Sequence, residues 1–256
     1  MPYAENDGVR IHYETDGTAG APPVIMHHGF LADLESWRAR GYVDRFRDRY
    51  RILLMDARGH GLSDKPHAAE AYDTRTRVLD IVAVLQAEGV ARAHYVGYSM
   101  GGMMGFSTLI YAPQRFASLS VGGASPMRDP GRLANATADF DAYYQGALKR
   151  NAAVKAAFEA GKHDVAALKA CRNEGARWGG AEQAVRLAEM PILLYVGTDD
   201  APYEGAKRAQ ALNPRLRLLP LEGKDHAGAA EAVEQVAPAI LETIALAEQS
   251  SPAKYL

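Results

Sequence analysis

The stretch Gly97-Tyr98-Ser99-Met100-Gly101 constrains this chain more than any other, because of what flanks it. Ala93 to Tyr98 is a short apolar run of strand character, and the residues from Met100 through Ile110 read as a helix. A serine caught between a strand and a helix sits on a sharp turn with strained backbone angles. Side chains two residues to either side would collide there, and glycine at 97 and 101 removes them. The turn offers the Ser99 hydroxyl at a helix N-terminus, whose dipole favours developing negative charge. The plainer reading is a Gly-rich connector between strand and helix.

The rest of the chain alternates in the same way. Val9 to Tyr13 reads as a strand that turns at Asp16-Gly17. Pro23 to His28 is an apolar run ending at Gly29, and Arg51 to Asp56 is another, ending in Arg58-Gly59-His60-Gly61. Leu34, Trp37, Val43 and Phe46 suggest a helix between them. Asp73 to Glu88 is a clear helix, with Val78, Ile81, Val82 and Leu85 at i, i+3, i+4 and i+7 and Gly89 closing it. Phe116 to Gly122 is a further strand. From Pro126 to Ala188 the rhythm breaks into Ala-rich helical sequence without a convincing strand. Strands resume at Ile192 to Val196 and Arg215 to Leu221, followed by a final helix from about Ala229 to Ala247 and a loosely held tail from Ser250 to Leu256. This pattern predicts an α/β fold, with a mostly parallel central sheet and helices on both faces. Residues 1–125 and 189–256 form the core domain, and 126–188 a small helical insertion.

A length of 256 residues suits one such domain. The net charge of −2 supplies no basic field, so neither nucleic acid nor an anionic membrane is expected as partner. Cys171 is the only cysteine, which rules out an internal disulfide. The N-terminal residues lack the basic start and apolar run of a secretory leader, and runs such as Ile81 to Leu85 are far too short to cross a bilayer. A cytoplasmic location is the expectation. No H-E-x-x-H, cysteine pair or phosphate loop occurs, so neither metal nor cofactor is expected.

A serine hydroxyl is a poor nucleophile until a base takes its proton. Of the eight histidines, His12 and His94 fall in strands, and His67 and His163 in polar segments expected to be exposed. His226 lies in Glu222-Gly223-Lys224-Asp225-His226-Ala227-Gly228, between the last strand and the last helix, at the carboxyl edge of the sheet where a partner for Ser99 belongs. A carboxylate is needed to orient the imidazole, and Gly197-Thr198-Asp199-Asp200 offers two after the preceding strand. Chemistry alone does not choose between Asp199 and Asp200; the other would cap the helix that starts near Pro202. An acyl-transfer site also needs N–H donors for the oxyanion. Met100, just after the nucleophile, and Phe30, in the loop His27-His28-Gly29-Phe30, are the expected backbone donors, with the His27 and His28 side chains structural.

Taken together, His28-Gly29-Phe30, Asp56-Ala57-Arg58-Gly59-His60-Gly61-Leu62-Ser63-Asp64, Gly97-Tyr98-Ser99-Met100-Gly101-Gly102, Gly197 to Asp200 and His226 resemble the α/β-hydrolase superfamily. The likeness is to its compact esterase, lactonase and C–C hydrolase branch. The family pattern G-x-x-D matches Gly197 and Asp200, so the resemblance selects Asp200. It also implies that residues 126–188 cover the active site as a cap, and that Arg58, His60, Ser63 and Asp64 build a rigid turn beside it. His27-His28 with the Arg58-Gly59-His60-Gly61 turn resembles 3-oxoadipate enol-lactonases. His28-Gly29-Phe30-Leu31 and the Gly97 to Gly102 stretch resemble menaquinone-pathway lyases of the same fold. Two positions depart from the pattern. Met103 stands where those lyases carry an arginine for a substrate carboxylate, which counts against an anion bound that way. Asp225 stands where the family often has glycine before its histidine.

The expected function is hydrolysis of a small-molecule carboxylic ester or lactone through an acyl-Ser99 intermediate, with His226 as base and Asp200 behind it. C–C bond hydrolysis or cofactor-free elimination on the same triad is the alternative, and a ligand-binding scaffold without turnover a third reading. Phe140, Tyr143, Tyr144, Phe158 and Trp178 are the large apolar residues of the insertion. Tyr143 and Trp178, with Phe30, are the expected substrate contacts. Arg128, Lys149, Arg150, Lys155 and Arg172 read as solvated surface.

Overall fold

The computed structural model describes residues 2–128 and 139–250. Eight strands form one sheet: β1 (Tyr3–Asn6), β2 (Val9–Gly17), β3 (Pro23–His27), β4 (Arg51–Met55), β5 (Ala93–Tyr98), β6 (Phe116–Gly122), β7 (Ile192–Gly197) and β8 (Leu216–Leu221). Their spatial order is β1-β2-β4-β3-β5-β6-β7-β8. All pairings from β4 to β8 are parallel, and β1 and β2 add an antiparallel edge. Every residue of β3, β5, β6 and β7 is buried. That is why these segments read as unbroken apolar runs rather than as alternating patterns. β1 shows no such run because only Ala4 of its four residues is buried. Its hairpin does carry a signature, Asp7-Gly8, with φ of 53° and 72°, as a two-residue mirror-image turn requires.

Alternate strand residues feed two apolar layers. Ile25, Leu53, Met55, Tyr95 and Leu194 point to one face, and Val24, Met26, Ile52, Leu54, Leu193 and Tyr195 to the other. Helices α3 (Thr74–Ala87) and α4 (Met100–Tyr111) cover the first face through Val78, Ile81, Val84, Met104 and Phe106. The Asp73 side chain caps α3 by accepting from the Thr76 amide, and Gly89 follows its end at φ 65°. On the second face the single helix expected around Trp37 is in fact two, α1 (Glu35–Ala39) and α2 (Tyr42–Phe46), because Gly41 adopts a left-handed φ of 79° between them.

The segment after β6 is helical, with α5 (Phe140–Arg150), α6 (Ala152–Glu159), α7 (Val165–Gly175) and α8 (Glu182–Leu187) and no strand among the described residues. Residues 129–138 of the expected insertion and 251–256 of the expected tail lie outside the described residues. Beyond β7 come α9 (Tyr203–Gln210), the short α10 (His226–Ala230) and α11 (Val233–Ser250). The last of these starts later than the sequence suggests, because a separate turn of helix carries His226.

Candidate active site

The carboxyl ends of β3, β5, β7 and β8 converge on one edge of the sheet. Ser99, between β5 and α4, has φ 55° and ψ −108°, a conformation that costs a non-glycine residue about 1–3 kcal/mol. The crowding around it explains its neighbours. A Cβ on Gly97 would lie 2.5 Å from the Gly101 carbonyl oxygen, and one on Gly101 would lie 2.1 Å from the His27 carbonyl oxygen. No real side chain tolerates either approach.

His226 meets Ser99 from the loop after β8, with Nε2 2.9 Å from the serine Oγ. Its Nδ1 lies 2.7 Å from Asp200 Oδ2. A carboxylate only accepts, so Nδ1 carries the proton and Nε2 is left to accept from the serine hydroxyl. Asp200 is buried, whereas the imidazole is about half exposed. Asp199 faces solvent and does not cap α9, whose N-cap, Pro202, makes no side-chain capping bond. Asp225 has a role of its own: its carboxylate accepts from the Gly228 amide at 2.7 Å and caps the short helix that begins at His226. The Tyr98 hydroxyl donates to the His226 carbonyl, tying the loop that carries His226 to the strand that precedes Ser99.

The loop after β3 closes the other side. A Cβ on Gly29 would reach 3.4 Å from Ser99 Cβ, and the His28 carbonyl accepts from the Gly101 amide. The Phe30 and Met100 amides donate to no described residue. The paired histidines are structural. His27 Nδ1 donates to the His28 carbonyl. His28 bridges outward, donating from Nδ1 to the Gly29 carbonyl and accepting at Nε2 from the Ala57 amide at 3.0 Å. Burial pushes His27 down to about 3 and His28 below its ordinary value, so both are neutral and can play these fixed parts.

The turn after β4 is held in the same manner. Arg58 pairs with buried Asp80, Ser63 donates to the Asp56 carbonyl, and Asp64 accepts from Arg10. His60, buried and held neutral by that burial, donates to the Arg58 carbonyl and sets its ring edge-on to Phe30.

Among the described residues, two cavities flank Ser99, with Phe30 bordering both. The larger, about 550 Å³, is also lined by Tyr98, His226, Arg40, Val154 and His163. The smaller, about 240 Å³, is lined by Met100, Met103, Tyr143, Cys171, Arg77 and Arg172. A family model described as alpha/beta hydrolase fold matches residues 22–190.

The chain belongs to the α/β-hydrolase fold family.

Epoxide hydrolase A of Mycobacterium tuberculosis is 34% identical over 45% of this chain, and the match covers 36% of that protein. 3-Oxoadipate enol-lactonase 2 of Acinetobacter baylyi is 31% identical over 44% of the chain and 41% of its own length. The matched segment thus spans well under half of these curated relatives. Among solved structures, an enol-lactonase from Burkholderia xenovorans superposes with a TM-score of 0.79 at 20% identity, covering 95% of this chain and 100% of that one. At that identity the likeness is one of fold.

Within this hydrolase fold the helical segment after β6 corrects several expectations. Tyr143 borders the smaller cavity, its ring 6.3 Å from that of Phe30. Trp178 lines neither cavity. Its indole N–H donates to Ser107 Oγ at 3.0 Å and its ring stacks on Phe106, so it is satisfied inside the core beneath α4. Phe140 and Tyr144 stack on each other in a small apolar cluster with Leu31 and Leu168. His163, expected to be exposed, is half-buried. It accepts from the Tyr144 hydroxyl at 2.7 Å and borders the larger cavity. Arg172, expected on the surface, lies with its guanidinium 3.7 Å from the Tyr143 ring centre, because α7 turns it inward toward the smaller cavity. Arg128, Lys149, Arg150 and Lys155 are exposed.

Arg77, which the sequence pattern did not single out, borders the smaller cavity. It shares the buried side of α3 with Ile81, Val84 and Leu85, at i, i+4, i+7 and i+8, and is itself buried. A charge on the apolar face of an otherwise regular helix was the available signal.

Proposed function

We propose that this chain is a serine hydrolase that cleaves a carboxylic ester or lactone through an acyl-Ser99 intermediate. The relay from Ser99 Oγ to His226 Nε2 at 2.9 Å, and from His226 Nδ1 to Asp200 Oδ2 at 2.7 Å, carries this reading. His226 takes the hydroxyl proton as Ser99 Oγ attacks the carbonyl carbon, and Asp200 stabilises the imidazolium that results. The oxyanion is received by the unengaged amides of Phe30 and Met100, each such donor typically worth about 2.7–4 kcal/mol in the transition state. His226 then returns the proton to the leaving alkoxide. A water, deprotonated by His226, adds to the acyl carbon, and collapse frees the carboxylic acid and restores Ser99.

The two cavities divide the substrate. The leaving alkoxide must lie within reach of His226, which borders only the larger cavity, so that space takes the alcohol portion. The smaller cavity, beyond Met100 and away from His226, takes the acyl portion. Residues 126–188 act as a cap, of which Tyr143 and Arg172 on the acyl side and Val154 and His163 on the alcohol side are the working contacts.

Epoxide opening does not suit this nucleophile. Serine attack on an epoxide would leave an ether, which the water step cannot cleave, so turnover would stop. C–C bond hydrolysis on the same triad is a second reading, favoured by the two arginines beside the smaller cavity, since a bound anion could anchor a diketone substrate. The test is a burst of 4-nitrophenol from short-chain 4-nitrophenyl esters, with lactones and vinylogous diketones in the same panel. The ester reading predicts a burst that Ser99→Ala abolishes. Full activity in Ser99→Ala would overturn it, and turnover of the diketones alone would replace it with the C–C reading.

A further inference from the structure

The smaller cavity poses an electrostatic problem that the triad does not solve. Arg77 is 3% exposed, yet its guanidinium makes no hydrogen bond to a described residue and its Nη2 is fully buried without a partner. No carboxylate of the described residues forms an ion pair with it or with Arg172. Asp80 feels the Arg77 charge, but both its oxygens are engaged by Arg58 and one also by Asn6, so one buried carboxyl serves two arginines. A buried cation left without an ion-pair partner of its own is disfavoured, and proteins ordinarily pair it or leave it out. Burial is the main reason that His27, His28 and His60 lose basicity, and the Arg77 charge adds a smaller push in the same direction.

The second cation stands on the same cavity. Arg172 lies over the Tyr143 ring and has a buried Nε with no acceptor. Two guanidinium groups from different helices, α3 and α7, therefore border a space of about 240 Å³ that also touches Ser99 and Met100. The rest of that lining is Phe30, Met103, Tyr143, Cys171, Gly175 and Ala176, so no acid among the described residues lines it. The volume equals about eight water-sized spaces, room for a short chain and one charged end group. A guanidinium fork matches a carboxylate in shape and charge.

We propose that the smaller cavity is a carboxylate subsite, with Arg77 as its principal cation and Arg172 as its second, and that the substrates are half-esters of short dicarboxylic acids. The proposal rests on the esterase reading above and on the acyl portion entering the smaller cavity. On hydrolysis the product is a dicarboxylate, one carboxyl newly made at Ser99 and the other already held by Arg77.

The substrates for the test are 4-methylumbelliferyl half-esters of the C4 to C6 dicarboxylic acids, each compared with its methyl-capped neutral counterpart after subtraction of spontaneous hydrolysis. The wild-type kcat/KM is expected to favour the anionic ester at the best chain length by on the order of 10²-fold, the strength of a charge-assisted pair. Arg77→Gln should bring that ratio close to one, and Arg77→Lys should restore part of it. A binding measurement that needs no turnover accompanies these: calorimetric titration of Ser99→Ala with monomethyl glutarate and with dimethyl glutarate, the anion expected to bind and the neutral diester not. Equal cleavage of charged and capped esters, together with equal binding of the two glutarates, overturns the carboxylate subsite and leaves the esterase reading standing. Preferential binding of the anion by Ser99→Ala, with no ester cleaved by the wild type, overturns the esterase reading and leaves the subsite standing. Should Arg77→Gln fail to fold, the wild-type ratio and the glutarate titrations decide on their own.

Discussion

Acidification should weaken this fold well before its carboxylates titrate, and the buried histidines set the size of the effect. Burial holds His27 at about 3 and His94 at about 4 in the folded chain, against an ordinary value of about 6.5 when unfolded. A folded value below the unfolded one means that protons bind preferentially to the unfolded chain. Stability is therefore complete above about pH 7.5 and falls as pH drops through 6.5. Between pH 7.5 and 5.5 each such histidine should cost about 1.4 kcal/mol, from one pH unit below the unfolded pKa at 1.36 kcal/mol per unit. His27 and His94 together give about 3 kcal/mol, a large share of the roughly 5–15 kcal/mol that holds an ordinary domain. His28, His60 and His163 shift in the same direction and add to it. The assay is urea unfolding at the two pH values at constant ionic strength, with m compared to confirm that the same surface is exposed. His94→Gln should flatten the pH dependence by about 1.4 kcal/mol whatever it does to absolute stability. An unchanged midpoint between pH 7.5 and 5.5 would refute the reasoning, as would a His94→Gln variant with the full wild-type slope.

Three further outcomes follow from the site. Asp200→Asn should lower kcat by roughly 10⁴-fold with little change in KM, because an amide no longer fixes the imidazole tautomer, while Asp199→Asn should stay near wild type; steady-state kinetics on the best ester separates them. Tyr98→Phe removes the hydroxyl that anchors the His226 carbonyl and should lower stability by about 1 kcal/mol and kcat by several-fold, read by calorimetry and kinetics, and an unchanged kcat would show that the tether does not position the base. Trp178→Phe should cost about 1 kcal/mol for the lost bond to Ser107 and leave kcat/KM unaltered, so a specificity change in that variant would place the indole at the site after all.

The parts of the molecule that are legible in the sequence are those where one physical demand acts alone. Buried parallel strands must be apolar throughout, so β3, β5, β6 and β7 stand out. Gly97 and Gly101 are forced by backbone collisions, which makes the turn at Ser99 recognisable from five residues and their flanks. Side chains answering to two demands are harder. Asp199 and Asp200 offer the same chemistry one residue apart, and only the direction in which the chain leaves β7 buries one and exposes the other. Trp178 is as apolar as a pocket wall, yet its N–H finds Ser107 in the core. Arg77 and Arg172 carry charges that composition assigns to the surface, and tertiary placement alone turns them inward. The split between α1 and α2 hangs on a single glycine, Gly41, whose left-handed angle no periodicity reveals.

The crowding at the turn around Ser99 bears on how such a chain diversifies. Gly97 and Gly101 have no space for even a methyl group, and the loops that meet there hold one another through backbone bonds. Drift at those positions is closed to any lineage that keeps the turn. Much of the lining of the two cavities comes instead from helices α5 to α7, where neither the sheet nor the relay dictates side-chain identity. New specificities in descendants of this sequence should accordingly arise through those helices, while the edge of the sheet stays fixed.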